Sequence, residues 1–425
     1  MSGERGDGAM TVFRNRWWIV AASVVSLTVS GGPVNIFSFG VFLRAVTDDL
    51  HIGRGVFASA MLATNWISAV SGPCIGWVLD RYGARRALLV GACTFAVGTA
   101  LQSFLTASIG VIYALFALKI LSSVAVSPTT FAFVVTKWFD RQRGLALGIA
   151  MSGVGLGTTL IPPTAAWLIT NYGWRAAYIG LGAMIFVVAG LPALFVIREP
   201  REDERATLPD IARGPQPGLS VREALTGWRF WGLTFAFFLG VICLNGTLTQ
   251  IVAMLQDRGW ELQEATRVLA ASGIAAICGR MLSGWFVDRF HGPHVAICFF
   301  ILPMIGTVFI ASGAGEPMPL FGAILCGAAL GGEIDLMSFL VSRYFGLKSY
   351  GKIFGTMFGI FAGSTGVGPF ISGLSFDYWH SYVPAFALYE VALVVACLIF
   401  LPLGPYPFPA HHRRTFADSA EKVSA

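Results

Sequence analysis

The chain has 425 residues, of which 55% are hydrophobic and only 12% charged, and its formal net charge is +6. Soluble domains carry about 25% charged residues. With a mean hydropathy of +0.70, most of this chain must therefore lie in lipid. These values exclude a soluble enzyme, a nucleic-acid-binding domain, a disordered chain and a secreted disulfide scaffold.

Long apolar stretches run along the whole chain. A helix that spans a membrane needs about 20 apolar residues, and strands of membrane barrels are shorter and alternate in polarity. The stretches here are unbroken and rich in Gly, Ala, Leu and Phe, so they predict an all-α integral membrane protein with twelve transmembrane helices. The predicted spans are 17–43, 56–79, 87–105, 109–136, 144–170, 176–197, 229–255, 266–287, 294–313, 318–342, 352–376 and 383–403.

Positive charges orient these spans. With both termini in the cytoplasm, most of the 29 lysines and arginines fall in cytoplasmic segments. The predicted outer loops hold only Arg44, Arg54, Arg175, Arg258 and Arg267. This asymmetry follows the positive-inside rule and explains the basic charge without a nucleic-acid partner. We expect a multi-pass protein of the plasma membrane, or of the inner membrane if the source is bacterial.

The two halves of the chain repeat each other. Residues 76–83 (GWVLDRYG) match 284–291 (GWFVDRFH), and 135–139 (VTKWF) match 341–345 (VSRYF), at a separation of about 207 residues. Parallel repeats are typical of transporters whose site lies between the halves near the midplane. The predicted organisation is an N-terminal six-helix bundle (1–198), a flexible cytoplasmic linker (199–226), a C-terminal bundle (227–409) and a cytoplasmic tail (410–425).

The loop after the second span carries a family signature. Its pattern, Gly76-x-x-x-Asp80-Arg81-x-Gly83-x-Arg85-Arg86, resembles that of the major facilitator superfamily, with a degenerate copy at 284–289. The resemblance implies two pseudo-symmetric six-helix bundles and transport by alternating access. It also implies a cytoplasmic latch that holds the outward-open state, formed by Asp80, Arg81, Arg85, Asp288 and Arg289.

A second resemblance suggests the cargo. Arg280, Glu333, Asp335 and the segment 343–346 (RYFG) resemble the monocarboxylate and oxalate/formate porter group. It implies secondary active transport of a small organic anion, with a monocarboxylate favoured, coupled to H⁺ symport or anion exchange. Two features depart from that group: Ala276 stands where an aspartate is usual, and Lys352 lies only at the cytoplasmic start of span 11.

Arg280 is the main candidate for the cargo anchor. It precedes Asp288 by eight residues, which is about 12 Å along a helix, so it lies near the centre of a bilayer whose hydrocarbon half-thickness is about 15 Å. A charge at that depth needs a partner or a water-filled cavity. The guanidinium fork suits a carboxylate. The alternative is a structural ion pair with an acid of span 10.

Span 10 contains two acids, Glu333 and Asp335, at a similar depth. Two positions on a helix differ by about 200°, so the side chains point to opposite sides. Either acid is a candidate carrier of a coupling proton, because burial and a nearby arginine act on a carboxyl in opposite senses. Structural pairing with an arginine remains an equal alternative.

Other polar residues inside the spans are candidate cargo contacts. Lys119 is a possible second cation, and Asn35, Tyr113 and Asn245 are possible neutral contacts. For Lys119 the alternative is that it snorkels or pairs structurally, and for the three neutral residues it is hydrogen bonding between helices. For Glu390, in span 12, we expect a structural role.

The sequence predicts no enzyme, catalytic residue, cofactor or metal site. The seven cysteines lack ligand spacing, and we see no nucleophile–base pair. The expected partners are the organic anion, H⁺ or a counter-anion and the lipid bilayer, and we expect a monomer. Two rival functions stay open: export of a drug or neutral metabolite, and a membrane sensor that does not transport.

Overall fold

The computed structural model describes residues 16–139, 143–198, 218–312, 315, 317–346 and 348–408. Its secondary structure is helical apart from one isolated bridge between Gly218 and Gly346. The helices of the N-terminal half are α1 (Trp17–Thr28), α2 (Phe39–Leu50), α3 (Arg54–Tyr82), α4 (Ala84–Ala100), α5 (Ile109–Ser123), α6 (Pro128–Trp138), α7 (Arg143–Ile185) and α8 (Leu191–Phe195).

The C-terminal half repeats this pattern after the linker. Its helices are α9 (Val221–Thr226), α10 (Trp228–Leu248), α11 (Ile251–Asp257), α12 (Leu262–Val287), α13 (Gly292–Ala311), α14 (Met318–Phe345), α15 (Tyr350–Ser364), α16 (Val367–Trp379) and α17 (Val383–Phe400). The all-helical architecture agrees with the apolar stretches of the sequence.

Within the described residues, ten helical runs are long and apolar enough to cross a membrane. One of them, Leu145–Phe195, covers nearly all of both the fifth and the sixth predicted spans. The backbone turns there at Gly173, where φ is +81°, a conformation that glycine adopts readily. Helix α3 corresponds to the second predicted span but is not among the ten. Twelve membrane crossings therefore stay a prediction.

The first and fourth predicted spans are each interrupted. A π-helical segment, Gly32–Phe37, separates α1 from α2, and Pro33 lies in its first turn. Pro128 begins α6 at the position where a missing N–H costs least. The π segment brings Ile36 and Phe37 to the cavity described below.

The described end of the linker is ordered, although we predicted a flexible tether over 199–226. Ser220 and Glu223 form a capping box at the start of α9, in which Glu223 Oε2 accepts a hydrogen bond of 2.7 Å from the Ser220 N–H. Leu219 donates its N–H to the carbonyl of Phe345 at 2.8 Å. The capping residues are the physical reason, since they satisfy N–H groups at the helix start. Residues 199–217 lie outside the described residues.

The two halves meet closely at the predicted outer end. Helix α3 packs against α15 and α16 of the other half, α7 packs against α12, and α2 packs against α11. Gly40 of α2 lies directly against the backbone carbonyl of Thr249. A Cβ atom on Gly273 would lie 2.8 Å from the carbonyl oxygen of Gly155. Glycine thus permits a close helix contact between the halves.

Candidate functional site

A cavity of about 670 Å³ lies between the two halves, and we call it the central cavity. The π segment and α7 line it from one side, and α10, α12, α14 and α15 line it from the other. Its wall extends to four exposed residues near the predicted cytoplasmic ends of α7 and α12: Leu145, Ile149, Met281 and Trp285. The central cavity therefore opens toward the predicted cytoplasmic end.

Arg280 of α12 lies in the wall of the central cavity, with its side chain 30% exposed. Its Nε lies 3.3 Å from Asp335 Oδ2 and 3.5 Å from the carbonyl oxygen of Gly331. Both contacts involve the same nitrogen, on one edge of the planar guanidinium. Arg280 thus lies in the cavity wall and also forms an ion pair with an acid of span 10. These features correspond to the two hypotheses that the sequence left open, a cargo anchor and a structural ion pair.

Glu333 and Asp335 point to different sides of α14, as helical geometry requires. Glu333 is 2% exposed, lines the central cavity and touches a small void beside Phe299 and Phe300. Neither of its carboxylate oxygens has a hydrogen-bond partner among the described residues. Asp335 instead borders a separate space of about 400 Å³ toward the predicted cytoplasmic end.

Asn245 of α10 also lines the central cavity, where its Nδ2 donates to the carbonyl of Val241 at 3.0 Å. Asn35 and Tyr113 are not in the described lining. Asn35 Nδ2 donates to Ser123 Oγ at 3.0 Å, and the Tyr113 hydroxyl lies 2.7 Å from Ser59 Oγ. Both link helices of the N-terminal half, which is the alternative role that the sequence allowed.

Lys119 is not in the described lining of the central cavity either. It is 5% exposed inside the N-terminal half, with its Nζ 5.4 Å from the ring centroid of Tyr178 and 5.8 Å from that of Phe116. The aromatic faces attract the cation, so Lys119 packs among rings of the N-terminal half. Glu390 accepts a hydrogen bond of 2.5 Å from Thr307 Oγ1, a contact between α17 and α13.

The predicted cytoplasmic latch falls partly outside the description, because the side chain of Asp80 is not among the described ones. Arg85 Nη2 donates to the Leu194 carbonyl at 2.6 Å, within its own half. Arg81 lies 5.9 Å from the ring centroid of Tyr82.

In the second copy of the loop, at 284–289, the arginine also makes its described contacts within its own half. Arg289 donates to the carbonyl of Trp285 at 3.2 Å and stacks 4.0 Å above that ring. Asp288 borders the same space as Asp335. The contacts of Arg85 and Arg289 are thus made within single halves, as fits a cavity open at this end. Across the described ranges, no cluster of three or more His, Cys, Asp or Glu side chains is arranged to hold a metal.

A cluster at the opposite end joins the two halves, and the sequence did not predict it. We call it the outer clamp: Arg54, Asp257, Asp377 and Tyr382. The guanidinium of Arg54 makes two bonds to the Asp257 carboxylate, of 2.5 and 2.8 Å, and donates to the Tyr382 hydroxyl at 2.5 Å. Arg54 is only 7% exposed and also stacks 3.7 Å above the Phe376 ring.

Asp377 completes the outer clamp by capping α3 from the other half. Its Oδ1 accepts the Arg54 N–H at 2.9 Å, and its Oδ2 accepts the Gly55 N–H at 2.7 Å. The first N–H groups of a helix lack partners within the helix, and they favour a negative charge. A Cβ atom on Gly55 would lie 2.8 Å from Oδ2, so the approach needs glycine. The outer clamp closes the end opposite to the opening of the central cavity.

The sequence is similar to those of known membrane transporters. A family model described as Major Facilitator Superfamily matches residues 23–369. "Monocarboxylate transporter 13" of Bos taurus is 26% identical over 333 residues, covering 76% of this chain and 74% of its own. "Probable sulfoacetate transporter SauU" of Cupriavidus necator is 27% identical over 359 residues, covering 78% and 80%.

A solved structure shares the fold. A bacterial homolog of the human lysosomal transporter Spinster, in an inward-facing and occupied conformation, superposes with a TM-score of 0.68 at 16% identity and covers 91% of this chain and 96% of its own. Because the family model spans most of the sequence and the helices follow the same fold, the chain belongs to the major facilitator superfamily of membrane transporters.

Proposed function

We propose that the protein is a secondary active transporter of a small organic anion, with a monocarboxylate as the favoured cargo. The observation that supports this is Arg280, a guanidinium in the wall of a cavity between the two halves. The names of the two relatives denote carriers of organic acids.

Arg280 is the proposed anchor for the cargo carboxylate. Asp335 contacts it at Nε, which leaves the terminal N–H groups as the edge that fits a carboxylate with two parallel hydrogen bonds. An arriving anion competes with Asp335 for the same charge. Binding therefore weakens the ion pair between α12 and α14, and this couples occupancy of the cavity to packing of the C-terminal half.

Glu333 is the proposed carrier of a coupling proton, if H⁺ symport rather than anion exchange drives transport. An ionised carboxylate buried without hydrogen bonds is unfavourable, and Glu333 has no hydrogen-bond partner among the described residues. Asp335 already has a cationic partner in Arg280. The contrast between the two acids favours Glu333 for this role.

Alternating access requires one end to close as the other opens. We propose that the outer clamp breaks in the outward-open state, while Asp80, Arg81, Arg85, Asp288 and Arg289 assemble the cytoplasmic latch. The proposed boundaries are bundles 1–198 and 227–409 with the linker 199–226 and the tail 410–425 in the cytoplasm. The proposed location is the plasma membrane, and the proposed unit is a monomer.

The test is uptake of labelled mono- and dicarboxylates into proteoliposomes, with and without a pH gradient. Arg280→Ala is expected to abolish saturable uptake of the carried acid. Arg267→Ala is the matched control, because Arg267 lies exposed in the first turns of the same helix. Uptake that survives Arg280→Ala would instead favour a neutral or cationic cargo. Specific binding without flux would favour a sensor.

A further inference from the structure

We infer that the cargo is an amphipathic acid, with one carboxylate on a bulky apolar body, and not a small hydrophilic acid. This rests on the proposed function, since it concerns what else the site around Arg280 recognises. The inference comes from the wall of the central cavity opposite and beside the guanidinium.

The wall is apolar on both sides. The N-terminal half contributes Phe37, Met151 and Val154, and the C-terminal half contributes Ile277, Leu330 and Phe361. These side chains come from five different elements, so the apolar surface surrounds the space instead of forming one stripe. A cargo body that replaces water along such a surface gains binding free energy in proportion to its apolar area.

Four neutral polar side chains in the wall already use a donor inside the protein. Each donates to a carbonyl of its own helix: Ser152 to Ile149 at 2.6 Å, Thr158 to Val154 at 3.0 Å, Thr365 to Ala362 at 2.7 Å and Asn245 to Val241 at 3.0 Å. The oxygens of these side chains still accept hydrogen bonds, but a cargo rich in hydroxyl groups needs donors as well, and polar groups that lose water without new partners are costly. Glu333 lies in the same wall with both oxygens unpartnered, and the proposed function assigns it to the coupling proton. Within the described wall, Arg280 therefore supplies the charged donors for the cargo.

The volume agrees with a body larger than acetate or lactate. Sites for drug-sized ligands measure about 300–1,000 Å³, and the central cavity has about 670 Å³. Each methylene that enters an apolar wall contributes about 0.8 kcal/mol, which corresponds to roughly a four-fold gain in affinity. An apolar chain or ring is thus expected to outweigh the shared carboxylate in ranking cargoes.

The experiment is equilibrium binding to the purified full-length protein, measured by calorimetry. The ligands are acetate, lactate, hexanoate, 3-phenylpropionate and the neutral 3-phenylpropanamide. We expect hexanoate and 3-phenylpropionate to bind at least about ten-fold more tightly than lactate. The amide should bind more weakly than its acid, and Arg280→Ala should remove that difference.

The possible failures are distinguishable. Lactate binding as tightly as 3-phenylpropionate would overturn the inference and leave anion transport standing. An amide that binds as tightly as its acid, or no binding by any acid, would overturn the proposed function itself. Val154→Thr keeps the β-branched shape of the side chain and adds a hydroxyl, so it makes the wall more polar at this position. It should narrow the preference for 3-phenylpropionate over acetate, and an unchanged preference would count against the apolar wall.

Discussion

The outer clamp yields the sharpest prediction, because one carboxylate joins the two halves without contacting the central cavity. Asp257→Asn keeps the size of the side chain but removes the charge that faces Arg54. Arg54 is 7% exposed, so its guanidinium would stay buried beside a neutral amide. Breaking a buried ion pair costs about 3–5 kcal/mol.

The Asp257 side chain is 23% exposed, so solvent screens part of that cost. We take about 2 kcal/mol for the lost stabilisation of the state closed at the outer end, midway between exposed and buried pairs. Since about 1.4 kcal/mol is a factor of ten, the equilibrium should move roughly 30-fold toward opening at the outer end.

The assay is the distance between spin labels at two exposed residues, in a variant with its cysteines replaced. The residues are Asn171, beside the Gly173 turn of α7, and Glu264, in the first turn of α12. We expect Asp257→Asn to add or enlarge a long-distance population. Asp48→Asn is the matched control: its ion pair with Arg44 is exposed on both sides, and such pairs contribute about 0–1 kcal/mol. Identical distance distributions in the two variants would refute the reasoning.

Three further predictions concern other parts of the molecule. Glu333→Gln should abolish uptake driven by a pH gradient but preserve exchange of labelled for unlabelled acid at equal pH; retained gradient-driven uptake would exclude Glu333 as the proton carrier. Gly40→Val should separate α2 from the Thr249 carbonyl and lengthen the outer spin-label distance, whereas Gly110→Ala, with open space around it, should not. Ser220→Ala should lose the cap of α9, worth about 1 kcal/mol, and speed amide exchange in Val221–Thr226; unchanged exchange would contradict a stabilising cap.

The length and composition of the apolar stretches were sufficient to predict a helical membrane protein, because the bilayer sets the length of each span. The loop 76–86 indicated the family. Helical periodicity was enough to separate Glu333 from Asp335, since the angle between neighbouring positions is a local property of the helix. The same helical geometry predicts the depth of Arg280 in the bilayer.

Tertiary packing decided which polar residues face the central cavity. In the sequence, three polar residues cannot be distinguished from residues that line a cavity: Asn35, Tyr113 and Lys119. In the structure they contact neighbouring helices or aromatic rings instead. In a membrane both the cavity side and the helix-contact side of a span can be apolar, so hydropathy does not distinguish them.

The existence of the outer clamp could be recognised only from the tertiary structure. Arg54 is 203 residues from Asp257 and 323 residues from Asp377, and all three lie near predicted loops, where charges are ordinary. Only the approach of the two halves buries Arg54 and brings both carboxylates to it. The sequence by itself therefore determined the helices and their local faces, whereas the closed end and the composition of the cavity wall depended on how the two halves pack.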